Sequence, residues 1–88
     1  MNVLICDDER RDLQMVRLHV EQFSKDQQIN VSIYTLWNPK SSAEIMAMAE
    51  KHEMDVAFLD IDMPHISGDV IASALTEKYP SIQIIFFT

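Results

Sequence analysis

Short apolar runs and longer amphipathic stretches follow one another along this chain. Three of the runs, residues 2–6, 56–59 and 82–87, are mainly apolar and shorter than most helices. Such runs are typical of strands that are buried on both faces of a sheet. In residues 29–34 apolar and polar positions alternate with a period of two. This alternation predicts a half-buried strand at the edge of the sheet.

Helices are predicted in the stretches that separate these strands. Residues 10–25 carry apolar side chains at spacings of three and four, which indicates an amphipathic helix. Its expected inner face consists of Leu13, Val16, Val20 and Phe23. Ser41 followed by Glu44 matches a capping box at the start of a second helix, which is expected to end near residue 53. A third helix is expected to begin at Gly68 and to end before Pro80.

The alternation of strands and helices with short loops predicts an α/β fold. Such a succession forms a parallel sheet with right-handed crossovers and with helices on both faces. Gly68 is the single glycine of the chain, so we expect its backbone to need either a positive φ or space that a side chain would fill. Trp37, beside the turn at Asn38 and Pro39, is expected to cover the second helix.

Acidic residues follow two of the predicted strands at the point where each strand ends. Asp7 and Asp8 follow the first run, Asp60 follows the third with Asp62 just beyond it, and Thr88 ends the last run. The carboxyl ends of parallel strands meet at one rim of a sheet, where ligands collect. If the first and third strands are neighbours, the carboxylates converge and repel one another unless a cation neutralises them. Oxygen ligands without thiolate or imidazole favour a hard divalent ion such as Mg²⁺.

Each of these residues also has a purely structural interpretation. An acidic residue after a strand often caps the next helix, and this is the more frequent role of Asp7 or Asp8 taken singly. Asp60 alone is compatible with a turn, and Thr88 alone is not diagnostic. The cation site is favoured because acids that are distant in the sequence fall on the same rim of the predicted sheet. The three histidines lie far apart in the sequence, which favours neither a zinc site nor a catalytic triad.

Composition and charge restrict the classes of function. A chain of 88 residues with 48% hydrophobic and 24% charged residues is one small globular domain or part of one. Fourteen acidic against seven basic residues give a net charge of -7, which argues against direct nucleic-acid binding by this segment. Cys6 is expected to be a buried thiol in a reducing compartment. No apolar run is long enough to span a bilayer, so we expect a cytoplasmic protein without a membrane partner.

Together these motifs resemble the receiver domain of bacterial two-component response regulators. The matching features beyond the first acidic pair are Asp60, Met63 and Pro64 shortly after it, Gly68, and the apolar run that ends at Thr88. The resemblance covers all 88 residues. It implies a flavodoxin-like (CheY-like) sheet in which the four strands have the order 2-1-3-4.

The resemblance also implies a phosphoacceptor domain rather than a turnover enzyme. Asp60 would take a phosphoryl group from a sensor histidine kinase, and Thr88 would be the hydroxyl that turns toward that group. Asp7 and Asp8 would bind Mg²⁺ or Mn²⁺ together with Asp60, and the backbone carbonyl of Asp62 would be a further ligand. The sequence around the first and third predicted strands also resembles that of receivers that precede LytTR-type DNA-binding domains.

Compared with this family, the sequence stops early. Receivers continue with a fourth helix, a fifth strand that carries a lysine, and a fifth helix, and these do not follow residue 88 here. Residues 1–88 are therefore expected to be the N-terminal portion of a receiver domain, truncated after the fourth strand. That strand has no charge, proline or glycine. As an exposed edge it is a template for pairing with another chain, which predicts a homo-oligomer.

Two other functions remain open at this point. A buried strand followed by Asp60 and Asp62 is similar to the nucleophile and acid–base pair of haloacid-dehalogenase-type phosphatases. That family carries the pair on its first strand, whereas here an acidic pair precedes it on another strand. The second alternative is an interaction stub that folds or self-associates without signalling.

Overall fold

In the computed structural model, which describes residues 1–87, strands and helices alternate as expected. The strands are β1 (Asn2–Asp7), β2 (Ser32–Trp37), β3 (Val56–Asp60) and β4 (Gln83–Phe87). The helices are α1 (Arg10–Gln27), α2 (Ser42–His52) and α3 (Gly68–Lys78). Over this part of the chain, none of the helices combines the length and the apolarity that a bilayer span requires.

The four strands form one parallel sheet in the order β2-β1-β3-β4. The α/β class and the order 2-1-3-4 are therefore confirmed. In this arrangement β1 is flanked by β2 on one side and β3 on the other. Because all strands run in the same direction, the carboxyl ends of β1, β2 and β3 lie at one rim.

Apolar side chains of the sheet are buried against helices on both faces. On one face Val3 and Ile5 pack with Leu13 and Val20 of α1. On the other face the cluster includes Leu4 and Cys6 of β1, Ile45 of α2, Leu59 of β3, and Ile71 and Leu75 of α3. The alternation of Val3, Leu4 and Ile5 between the two faces follows from the period of two in a strand. This explains why β1 is apolar at successive positions.

The second strand begins later than the alternating pattern predicted. Residue 28 ends α1 in the left-handed region, with φ of 55° at Gln28. The N–H of Ile29 then donates to the carbonyl of Ser24 at 3.0 Å, and that of Gln28 donates to Lys25 at 3.3 Å. These are the two bonds of a Schellman helix end. The helix end therefore uses residues that the alternation had assigned to the strand, and β2 starts at Ser32.

The predicted capping box at the start of α2 is wrong in its details. Among the described residues, the side chain of Ser41 makes no capping hydrogen bond. A carboxylate oxygen of Glu44 instead accepts the backbone N–H of Lys40 at 3.3 Å. Glu44 thus reaches one residue further back than a capping box requires. The helix nevertheless begins where the pattern placed it.

The sheet face beside α1 is only partly covered in the described part of the chain. Phe23, predicted on the inner face of α1, is 51% exposed. A groove of about 540 Å³ runs between α1 and the strands β1, β3 and β4, and its lining includes Phe23, Phe58 and Phe87. At the edge of the sheet, Ile85 and Phe86 of β4 are each 44% exposed. Apolar side chains of β4 are therefore partly exposed beside the edge of the sheet.

Candidate functional site

The ends of β1 and β3 bring three carboxylates together. β1 and β3 are paired in register as far as Cys6 and Leu59, so the residues that follow them emerge side by side. Asp7, Asp8 and Asp60 each offer a carboxylate oxygen, and these oxygens all lie within 4.8 Å of one another. The sequence predicted this convergence from strand ends alone, because neighbouring parallel strands end at the same rim.

Two of the three acids are buried. Asp7 is fully buried, and Asp60 is only 8% exposed. One carboxylate oxygen of Asp7 accepts the backbone N–H of Glu9 at 3.0 Å. Asp60 accepts the backbone N–H of Asp62 at 3.3 Å. The second oxygen of Asp7, Oδ2, is buried and has no hydrogen-bond partner among residues 1–87.

Burial and mutual repulsion raise the pKa of the buried acids. Burial is the main cause that raises the pKa of Asp60 to about 6, and the neighbouring Asp7 and Asp8 raise it further. The bond from the N–H of Asp62 acts in the opposite direction. Burial also raises the pKa of Asp7, against the effect of the N–H of Glu9. The site therefore disfavours negative charge as long as only protein atoms surround it.

The residues at this rim fit a hard divalent cation. The donors are carboxylate oxygens, which Mg²⁺ and Mn²⁺ prefer over nitrogen or sulfur. The buried Oδ2 of Asp7 lacks a partner within the described residues, and a buried polar atom in this condition costs free energy unless something satisfies it. A cation between the three acids would satisfy this atom and remove the repulsion.

Gly68 allows the start of α3 to lie close to the end of β3, because it has no Cβ atom. A Cβ atom at this position would lie 2.3 Å from the backbone oxygen of Asp60 and 3.1 Å from the Cα atom of Ile61. The N–H of Gly68 donates to the carbonyl of Ile61 at 2.9 Å. Of the two reasons expected for the single glycine, crowding is therefore correct, since φ at Gly68 is not positive.

The remaining predicted site residues have different positions. The N-cap residue of α1 is Glu9 rather than Asp7 or Asp8, and over the described part it makes no side-chain capping bond. Asp62 is exposed in the loop after β3, and its N–H, described above, points to Asp60. The role of its carbonyl stays a prediction. Thr88 lies outside the described residues.

Two residues beside the acids, Trp37 and Arg10, were not among the predicted site residues. The indole N–H of Trp37 donates to the backbone carbonyl of Asp8 at 3.0 Å. The guanidinium carbon of Arg10 lies 4.0 Å from the centroid of the Trp37 ring. The prediction that Trp37 covers the second helix is therefore wrong, and the side chain is 47% exposed. Its position at the end of a strand next to β1 was the signal that could have located it.

The other titratable side chains lie outside this cluster. Cys6 is fully buried as predicted, and burial raises the pKa of its thiol to about 12, so it is not a reactive thiolate. His52 is half-buried and stacks on Tyr34 with ring centroids 3.9 Å apart. His19 and His65 are exposed. The grouping of potential metal ligands found within residues 1–87 contains no histidine or cysteine.

The sequence is similar to one protein family and to a known regulatory protein. The profile of the response regulator receiver domain matches residues 3–88. The regulatory protein VanR of Enterococcus faecium is 30% identical over 84 residues, which cover 93% of this chain and 32% of VanR. The chain thus spans about a third of the length of that relative.

Several solved structures share the fold. The REC domain of AraT, a response regulator from Geobacillus stearothermophilus, is 26% identical with a TM-score of 0.73, over 97% of this chain and 61% of that chain. RcsB from Salmonella enterica serovar Typhimurium, bound to promoter rprA in the presence of phosphomimetic BeF3-, is 26% identical with a TM-score of 0.72, over 98% of this chain and 46% of that chain. The response regulator MaeR bound to beryllium trifluoride is similar in fold, with a TM-score of 0.69. It is 18% identical, over 100% of this chain and 66% of that chain.

Proposed function

Because this chain belongs to the response regulator receiver domain family, we propose that Asp60 accepts a phosphoryl group from a phosphohistidine of a sensor histidine kinase. The observation that carries the proposal is the cluster of Asp7, Asp8 and Asp60, whose carboxylate oxygens lie within 4.8 Å of one another. Of these acids, Asp60 lies at the end of β3, in the position of the phosphoacceptor in the family pattern. The domain is then a signalling acceptor and not an enzyme that turns over a substrate.

The transfer is an in-line displacement at phosphorus. A carboxylate oxygen of Asp60 forms a bond to phosphorus, the bond between phosphorus and the imidazole nitrogen breaks, and its electron pair stays on the imidazole. The carboxylate must be ionised to act as the nucleophile. With the pKa of Asp60 raised to about 6, this form predominates at neutral pH. Such transfers depend mainly on positioning and on neutralisation of charge.

Mg²⁺ or Mn²⁺ fits the acidic rim as the cofactor of this reaction. Asp8 and Asp60 would bind the ion directly, and the carbonyl of Asp62 would be a further ligand. Asp7 would act through a water or through Oδ2, which has no partner within residues 1–87. When bound, the ion neutralises the acids and the charge of the transferred phosphoryl group. The backbone N–H of Asp62 holds Asp60 in place through one of its oxygens, and this leaves the other oxygen for the reaction.

The signal and its output are also part of the proposal. We assign residues 1–88 to the N-terminal portion of the receiver domain, because they match 61% of the chain solved as the REC domain of AraT. Thr88 would supply the hydroxyl that turns toward the phosphoryl group. We also propose a cytoplasmic location and an output through transcription. The solved structure of RcsB bound to promoter rprA supports the second of these. This segment itself, with its net charge of -7, would not bind the nucleic acid.

The phosphatase alternative fits the chain less well. Haloacid-dehalogenase-type phosphatases carry the Asp-x-Asp pair on their first strand, whereas here Asp60 ends β3. In addition, Asp62 is exposed and is not among the carboxylates that converge. A side chain in that position is badly placed to serve as the acid–base partner of Asp60.

The phosphoacceptor is tested by labelling the full chain with radioactive acetyl phosphate in the presence of Mg²⁺. Asp60→Asn is expected to abolish incorporation, because an amide cannot form the acyl phosphate. Asp62→Asn is the matched control and is expected to keep incorporation, since only its backbone is assigned a role. Labelling that survives Asp60→Asn would refute the proposal. Turnover of phosphate esters would instead indicate the phosphatase. If the protein shows neither labelling nor turnover, the result would indicate the non-signalling stub.

We also propose that copies of this chain associate through β4. In the described residues β4 pairs only with β3, so its other edge has free N–H and C=O groups. The neighbouring side chains of Ile85 and Phe86 are each 44% exposed. Pairing of two such edges about a two-fold axis would satisfy both.

A further inference from the structure

Trp37 is an exposed aromatic side chain that the proposed phosphoryl transfer does not use. It is the one tryptophan of the sequence, and nearly half of its surface, 47%, is exposed. Burial in the core therefore does not explain its presence. Within residues 1–87 its side chain has two specific contacts. The indole N–H donates to the carbonyl of Asp8 in the loop between β1 and α1, and the ring stacks on Arg10, the first residue of α1.

The two contacts fix the indole in one orientation. The hydrogen bond to the carbonyl of Asp8 is 3.0 Å long and holds the edge of the ring. The guanidinium of Arg10 covers one face at 4.0 Å from the centroid, which is within the range of a cation–π interaction. An exposed side chain loses conformational entropy when it is ordered. Two directional contacts offset this loss and keep the N–H aimed at Asp8.

The backbone beside Trp37 holds the preceding acid in the same way. Trp37 pairs with Asp7 in the register of β1 and β2. The N–H of Asn38 donates to the carbonyl of Asp7 at 2.7 Å. Asn38 has a φ of 50°, and Pro39, which follows it, is fully buried. Two N–H groups at the end of β2 thus donate to the β1 end: the backbone of Asn38 to the carbonyl of Asp7, and the indole of Trp37 to that of Asp8.

The Asp8 backbone needs such support. Asp8 lies between the end of β1 and the start of α1, and the N-cap residue Glu9 makes no side-chain capping bond in the described chain. Repulsion from Asp7 and Asp60 acts to push the carboxylate of Asp8 outward when no cation is present. The indole bond opposes this displacement at the backbone of the same residue.

We infer that Trp37 is a positioning residue for the cation site, which holds the Asp8 carboxylate in the place where it binds Mg²⁺ by bonding to the Asp8 backbone. This inference rests on the proposed function, because it requires that Asp8 is a metal ligand. Partners that orient metal ligands commonly contribute about 10- to 100-fold to metal affinity. Since this bond acts on the backbone of one ligand, we expect an effect near the lower end of that range.

The test compares Mg²⁺ affinity with stability in variants of the full chain. Replacement of Trp37 by 3-benzothienylalanine exchanges the N–H for sulfur and keeps the ring shape and the stacking face for Arg10. Trp37→Phe removes the N–H by ordinary mutagenesis. Calorimetric titration is expected to show Mg²⁺ binding about tenfold weaker in both variants. The unfolding midpoint of the benzothienyl variant in EDTA should fall only slightly, because water can replace the N–H at this partly exposed position. A merely structural role of the N–H would instead lower the midpoint and leave Mg²⁺ affinity unchanged.

Asp8→Asn separates the inference from the proposed function. Wild-type protein is expected to bind Mg²⁺, and Asp8→Asn to lose this binding. If Asp8→Asn loses the binding but the benzothienyl variant keeps wild-type affinity, the positioning role of Trp37 is refuted while the metal site stands. If wild-type protein binds no Mg²⁺, or binds it regardless of Asp8, the metal site itself is refuted and the inference with it.

Discussion

At the scale of single residues, the acids at the sheet rim determine how this protein responds to pH. Asp60 is nearly buried and lies beside Asp7 and Asp8. Its pKa of about 6 in the folded protein is above the value of about 3.9 in an unfolded chain. Between these two values the folded state keeps a proton that the unfolded state has released.

The stability of the metal-free protein should therefore fall as pH rises. The stabilising contribution of protonated Asp60 is fully present below about pH 4 and is lost as pH rises through about 6. Urea unfolding in EDTA across this range measures the effect. Asp60→Asn should reduce the pH dependence, and the exposed Asp62→Asn should leave it unchanged. An identical pH dependence in Asp60→Asn and wild type would contradict the raised pKa.

The identity of Gly68 is explained by crowding against the end of β3. A Cβ atom there would meet the backbone oxygen of Asp60 at 2.3 Å, and backbone cannot rotate away as a flexible side chain can. Gly68→Ala should lower the free energy of unfolding by about 1–3 kcal/mol, the usual cost of overpacking. Urea denaturation measures it. Val70→Ala, an exposed position of the same helix, is the control and should change stability by less than about 0.5 kcal/mol.

At the scale of elements, the end of α1 explains why the second strand starts late. Gln28 takes the left-handed conformation that closes the Schellman end, although this conformation favours glycine. The prediction from the alternating pattern used residues 29–31 as strand, because a period of two is visible in the sequence and a helix end without glycine is not. Glu53 ends α2 in the same conformation, with a φ of 52°, but there the predicted end of the helix near residue 53 agrees with the structure.

Substitution of this helix end by glycine should stabilise the protein. Gln28→Gly relieves the left-handed strain and is expected to raise the free energy of unfolding by about 0.5–2 kcal/mol, as optimised helix caps commonly do. Gln14→Gly, in the exposed interior of the same helix, should instead lower it by about 0.5–1 kcal/mol. Thermal and urea unfolding measure both variants. Equal destabilisation by the two substitutions would show that Gln28 is not strained.

At the scale of the whole molecule, the described part of the chain leaves the outer edge of β4 unpaired, like that of β2, and exposes part of one face of its sheet. α1 covers the side of β1, while the groove toward β4 stays open and is lined by apolar side chains. The other face is closed by α2 and α3 around Ile45, Ile71 and Leu75. The asymmetry follows from the topology, because one crossover lies on the first face and two lie on the second.

The exposed edge leads to a prediction about assembly. At micromolar concentration the wild-type protein should sediment as a dimer or larger species, and Ile85→Lys should shift it toward the monomer by placing a charge on the apolar edge. Ile85 is 44% exposed, so the folded monomer should tolerate the change, which circular dichroism can verify. Gln83→Lys, an exposed position of the same strand, is the control. Wild-type protein that is monomeric throughout would contradict association through β4.

The order of the elements and the convergence of the acids were determined by the sequence alone. Apolar runs, amphipathic spacing and strand ends are local properties, and the parallel topology then places Asp7, Asp8 and Asp60 at one rim by a general rule. The crowding at Gly68 could be anticipated for a similar reason, since a lone glycine needs a cause in the backbone. The roles of the three acids in phosphoryl transfer and metal binding stay predictions.

Only the tertiary structure decided the contacts that depend on register and distance. Trp37 bonds to Asp8 because β2 lies beside β1 with Trp37 opposite Asp7, a pairing that no local pattern specifies. The raised pKa of Asp60 depends on burial and on separations of a few Å. Phe23 is exposed although its spacing matches the inner face of α1, because the sheet face beneath that helix is only partly covered. Helical periodicity states which side chains share a face, and packing decides what that face meets.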